Sequence, residues 1–83
     1  MTDYTLVFDV VGVEQFEQQV VQNSFEQPVL VDFWAQWCAP CKVLMSVLEK
    51  ITLSYQGELL LAKVNCVLEK DIVGRLGVLS LLT

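Results

Sequence analysis

The chain has 83 residues, a formal net charge of −5 and an apolar content of 54%. That length makes one domain, residues 1–83, with a modest core and a thin margin of stability, and that apolar content excludes disorder. The five cations are scattered rather than grouped, which excludes a nucleic-acid surface. No apolar run approaches the roughly 18–20 residues of a membrane span. The opening MTDYTLVFDV lacks the positive region and cleavage site of a secretory signal, so a cytoplasmic location is expected.

No internal repeat or linker interrupts the chain. Residues 4–8, YTLVF, read as a short strand. VEQFEQQVV then places Val13, Phe16, Val20 and Val21 on one face at helical spacing, with Glu14 and Glu17 near the favourable N-terminal end. Pro28 ends that helix. Residues 29–34, VLVDFW, form a nearly continuous apolar run, the pattern of a strand buried on both faces of a parallel sheet. From Pro40 the period changes. Val43, Leu44, Val47, Leu48 and Ile51 make an apolar stripe on a helix over 40–55, with Ser46, Glu49 and Lys50 elsewhere around it, and Gly57 closes the segment. Residues 58–65, ELLLAKVN, read as a second buried strand. Residues 71–76, DIVGRL, read as a short helix weakened by Gly74. The order β-α-β-α-β-α predicts an α/β layer structure with a mainly parallel sheet and right-handed crossovers.

The most informative stretch is DFWAQWCAPCK at 32–42. It places two cysteines where a strand hands over to a helix, the usual position of active groups in open α/β sheets. Cys38 falls at the helix N-terminus, where unpaired N–H groups and the helix dipole favour a thiolate. The thiolate is the attacking species in disulfide exchange, which makes Cys38 the better nucleophile. Cys41 lies on the same helical face, within reach of a disulfide. Pro40 suits a first helical turn. Lys42 adds positive charge or is simply solvated.

Asp32 interrupts an apolar strand. Burial of a carboxylate raises its pKa, and such an acid beside Cys41 can accept that thiol's proton. The alternative is that Asp32 merely terminates the strand. Lys63, in the neighbouring apolar strand, pairs with Asp32 or extends to solvent. Zinc and iron–sulfur sites normally want four Cys or His ligands. With three cysteines and no histidine, no metal site is expected. Trp34 reads as core, Trp37 as a rim beside the active sulfur, and Cys66 as an ordinary small residue after the second buried strand.

VLVDFWAQWCAPCK resembles the active-site segment of the thioredoxin family, and LLLAKVN followed by DIVGRLGVLSLLT resembles the rest of that family's first two-thirds. The similarity runs from about Thr5 to Thr83. The opening YTLVFDVVGVEQFEQQVVQNS and Ala39 look more like the thioredoxin domain that heads bacterial tetratricopeptide-repeat co-chaperones. The resemblance implies a thioredoxin-like fold with helices on both faces of the sheet. It implies a Cys38–Cys41 redox pair in which Cys38 attacks and Cys41 resolves. Asp32 becomes the buried base, with Lys63 as its partner. Trp37, Ala39 and Pro40, together with the loop at Leu81 and Leu82, become the substrate-facing rim. No cofactor is implied. The expected partners are protein disulfides, with a thioredoxin reductase or a chaperone partner beside them.

Three departures lower the activity expected. Ser46 stands where the family carries a mid-helix proline, so a straighter helix is expected. Leu82 replaces the cis-proline and Leu79 a common basic residue; the Leu81–Leu82 bond should be trans, because a cis bond before a non-proline costs about 2.5–4 kcal/mol. The chain also stops where the family's last two strands and last helix should begin, so a partial domain is expected, with strand 29–34 on an unprotected edge that favours self-association. The principal expectation is a thiol–disulfide oxidoreductase. The alternatives are a non-catalytic chaperone or protein-interaction module, and an inactive truncated domain.

Overall fold

A computed structural model describes residues 6–76. Leu81, Leu82 and the bond between them lie outside the described residues. The elements run β1 (Val7–Asp9), α1 (Val13–Phe16), a π-helical turn (Glu17–Val21), α2 (Gln22–Ser24), β2 (Val29–Trp34), α3 (Ala39–Ser54), β3 (Leu60–Asn65) and α4 (Lys70–Leu76). All strand pairings are parallel and the strand order is β1-β3-β2. The apolar strand β3 therefore lies at the centre, which its own burial requires: Leu61, Ala62 and Val64 are fully enclosed.

Strand alternation sends successive side chains to opposite faces. On one face Ala62 and Val64 of β3 join Val29, Val31 and Phe33 of β2 and Phe8 of β1. That face is covered by Phe16 and Val20 of the first helical run and by Ile72 of α4. The run 13–24 contains a π-helical turn at 17–21, yet Phe16 and Val20 both remain inward, as their spacing predicts. Helix α3 packs on the opposite face, against β2 and β3. The α/β sandwich with helices on both faces is thus present. Strand β2 has β3 on one side only among the described residues, so the expected edge position of 29–34 holds there.

Two local devices fix the ends of the helices. Gly57, at φ 94°, follows α3 in a conformation that an L side chain resists. The Gly12 N–H donates to Glu69 Oε1 at 2.9 Å, which ties the start of α1 to the start of α4.

The stripe read on α3 needs correction. Val43, Leu44, Val47 and Ile51 are exposed. The residues turned to the sheet are Cys41 and Thr52, fully buried, with Met45 and Leu48 half-buried between them. Thr52 is tolerated there because its hydroxyl donates to the Leu48 carbonyl at 2.8 Å. Ser46 lies on the exposed side of a helix that runs unbroken from Ala39 to Ser54.

Candidate active site

The strand-to-helix junction is built from two consecutive carbonyls at the end of β2. Trp34 C=O accepts from the Cys66 N–H at 2.9 Å, and Ala35 C=O accepts from the Cys38 N–H at 3.1 Å. Cys38 is the residue that caps α3 and has an extended backbone; Ala39 and Pro40 follow in the first turn. Pro40 there forfeits no hydrogen bond, since the first turn has no intrahelical acceptor for its missing N–H. Cys38 and Cys41 are joined by a disulfide with their Cα atoms 5.3 Å apart. Buried Ala35 and partly buried Trp34 pack against the pair. Cys41 is the deeper sulfur, 1% exposed against 7% for Cys38. Trp37, 73% exposed, stands beside the pair with exposed Ala39 and Pro40.

Asp32 is buried, and among the described residues its Oδ2 has no hydrogen-bond partner; the same is true of Trp34 Nε1. Desolvation by burial raises the Asp32 carboxyl above its ordinary value of 3.8; Lys63 pulls it down and Glu49 pushes it up. Lys63 stands directly across from Asp32 in the β2–β3 register. Its ammonium, however, pairs with Glu49 Oε1 at 3.2 Å. The direct partner expected of Lys63 is therefore corrected: Asp32 receives its field, and Glu49 receives its hydrogen bond. Burial disfavours the ionised form of Asp32 and so weakens its claim on a cation, whereas Glu49 is half-exposed. Sequence reading left Glu49 among the polar residues of α3. The spacing 41, 45, 49 was the available signal, because i, i+4 and i+8 share a helical face.

Cys66 is half-exposed in a turn shaped by Asn65, whose Oδ1 accepts from the Val67 and Leu68 N–H groups. Burial first, and the Asp32 carboxylate second, push its thiol up, so it is a poorer nucleophile at neutral pH. Among the described residues no three of His, Cys, Asp or Glu cluster as metal ligands. A shallow depression of about 700 Å³, lined by Glu26, Pro28, Tyr55 and Gly57, lies at the other end of the strands and has no part in this chemistry.

The raised Asp32 pKa has a consequence for stability. The fold favours the protonated acid, so its contribution is best below 3.8 and is lost as pH rises through the raised value. At neutral pH the ionised group is a burden. Asp32→Asn is expected to raise the denaturation midpoint at pH 7, with the gain shrinking as pH falls towards 4. Denaturant titrations at several pH values check this. A loss of stability at pH 7 would show that the carboxylate is structurally paired.

The class defined so far is an α/β domain with a dithiol–disulfide pair at a strand-to-helix junction. The thioredoxin family pattern matches residues 7–82, and the chain belongs to the thioredoxin family. A protein named probable thioredoxin-2 from Caenorhabditis elegans is 49% identical over 59 residues, which cover 71% of this chain and 39% of that protein. Thioredoxin from Pseudomonas aeruginosa is 43% identical over 63 residues, covering 76% and 56% respectively. The structure of a single-site mutant of thioredoxin from Halobacterium salinarum superposes with a TM-score of 0.73 at 23% identity, over 96% of this chain and 66% of that one; this likeness supports the fold alone. The chain spans about half the length of the curated relatives it matches. No helix among the described residues is long and apolar enough to cross a membrane.

Proposed function

We propose that this domain is a thiol–disulfide oxidoreductase acting on protein disulfides. The observation that carries the reading is the Cys38–Cys41 disulfide at the head of α3, with buried Asp32 on the strand beneath it. In the reduced protein the Cys38 thiolate attacks one sulfur of the substrate disulfide. The substrate S–S bond breaks, a mixed disulfide forms on Cys38, and one substrate thiolate leaves. Asp32 takes the proton of Cys41, whose thiolate then attacks Cys38 Sγ. The second substrate thiolate leaves, and the Cys38–Cys41 bond of the present structure forms. Two electrons have passed to the substrate, and an external dithiol such as that of a thioredoxin reductase restores them. A cytoplasmic setting, where reductant is supplied continuously, suits this direction.

The helix N-terminus favours thiolate at Cys38, while Cys66 is held protonated. After reduction, iodoacetamide at neutral pH is therefore expected to modify Cys38 before Cys41 and Cys66, read by mass spectrometry. Preferential labelling of Cys66 would overturn the assignment of the nucleophile.

A second reading, an interaction module of the kind found at the head of a co-chaperone, is favoured by exposed Trp37, Val67 and Leu68 and by the apolar row on α3. Insulin reduction by dithiothreitol separates the two, because an interaction module gives no acceleration. The same apolar surface, with β2 at the sheet edge, leads to an expected self-association. Light scattering at moderate concentration should show dimers or larger species; a stable monomer would mean that β2 is covered.

A further inference from the structure

We propose that Glu49 is a positioning residue of the redox site: its carboxylate holds the Lys63 ammonium away from Asp32 and leaves that buried acid without a counter-ion. The proposal rests on the reading of Asp32 as the proton acceptor for Cys41, but its physical content is tested apart from that reading.

Three acids surround one cation. In the parallel register Asp9 of β1 and Asp32 of β2 flank Lys63 of β3 on its two sides. Neighbouring strands lie about 4.8 Å apart, and residues in register share a face. The four-carbon stem of Lys63 is thus long enough to turn its ammonium towards either strand or up to the helix. It goes to the helix, onto Glu49 Oε1 at 3.2 Å. Asp32, 6% exposed, keeps Oδ2 buried and unpartnered while a cation stands across the strand from it.

Without competition, a buried carboxyl and a lysine in that register would be expected to pair. Glu49 changes the balance. It is half-exposed and keeps the ammonium in place by a charge-assisted hydrogen bond. The charged and titratable groups that act on Asp32 are then Lys63 from β3, Glu49 from α3 and Cys66 just after β3. Asp9 lies beyond Lys63, and Lys42 and Lys50 lie on the exposed side of α3. Burial raises the Asp32 carboxyl most, Lys63 on its Glu49 partner still pulls it down in part, and the nearby Glu49 charge raises it further. A carboxylate whose pKa is raised is, once ionised, the stronger base towards the Cys41 thiol.

The experiment titrates the Asp32 side-chain carboxyl carbon by NMR in the disulfide form, where no Cys41 thiol couples to it. The wild type is compared with Glu49→Gln, Glu49→Ala, Lys63→Gln and the Glu49→Gln/Lys63→Gln double variant. Both neutral replacements of Glu49 suit a half-exposed helix position. Each is expected to release Lys63 to Asp32 and move the Asp32 midpoint down by about one pH unit, tenfold in proton affinity. Lys63→Gln is expected to move it up. In the Lys63→Gln background the Glu49 substitution should have less than half of its effect, because no cation remains to be redirected. An equal shift in both backgrounds would reduce Glu49 to simple charge repulsion and overturn the proposal, as would no shift or an upward one. Insulin reduction by Asp32→Asn is measured alongside. Wild-type rates there would remove Asp32 from the catalytic reading while leaving the titration result to stand or fall alone.

Discussion

Replacing Cys38 by serine is expected to reduce insulin turnover to the rate of dithiothreitol alone. The reason is chemical. A serine hydroxyl at the head of α3 receives the same helix dipole, but its proton is far too tightly held for it to attack sulfur, and no mixed disulfide forms. Cys41→Ser behaves differently. Cys38 still attacks, the resolving sulfur is absent, and the substrate stays bound through Cys38. Non-reducing electrophoresis should show that adduct in Cys41→Ser and none in Cys38→Ser. The opposite pattern would exchange the roles of the two sulfurs. Acceleration persisting in Cys38→Ser would remove Cys38 as the attacking sulfur, and no acceleration by the wild type would leave the interaction module. Cys41 is the more enclosed residue of the pair, and a resolving sulfur needs to reach only its neighbour.

The features that local chemistry decides were legible in the sequence. The run 29–34 is a strand with those bounds, because apolar continuity and Pro28 mark it from both sides. Cys38 stands at the helix cap because proline and the change of period fix the junction. Phe16 and Val20 face the core as their spacing requires. Partnerships that depend on a third element were not legible. The stripe Val43, Leu44, Val47, Leu48 and Ile51 is real as a pattern, but period alone does not say which side of a helix meets the sheet. The disulfide decides it: Cys41 must turn inward to pack on Ala35, and Met45, Leu48 and Thr52 follow it around. Lys63 was misassigned for a related reason. Its strand neighbour Asp32 follows from the strand pattern, whereas its helix neighbour Glu49 depends on how α3 lies across the sheet.

That difference between pattern and packing leads to the largest stability effect expected here. Leu61 is fully buried in the central strand, in register with Val7 on one side and Leu30 on the other. Its side chain shares the face of Lys63, beneath α3. Truncation to alanine removes buried methyl groups and leaves a cavity in a rigid sheet, a loss of about 2–5 kcal/mol. A chain of this size has in total roughly 4–12 kcal/mol, at about 0.05–0.15 kcal/mol per residue. Leu61→Ala should therefore leave a marginal domain, and at the low end of that range an unfolded one. Val47→Ala removes two methyl groups from a residue 47% exposed on α3, and should cost no more than about 0.5 kcal/mol. Denaturant titration compares the two through their midpoints, provided the slope is unchanged. A cost at Val47 comparable to that at Leu61 would mean that the outer row of α3 is buried in solution, against another copy or another segment. The midpoint of Val47→Ala would then depend on protein concentration in the first case and not in the second.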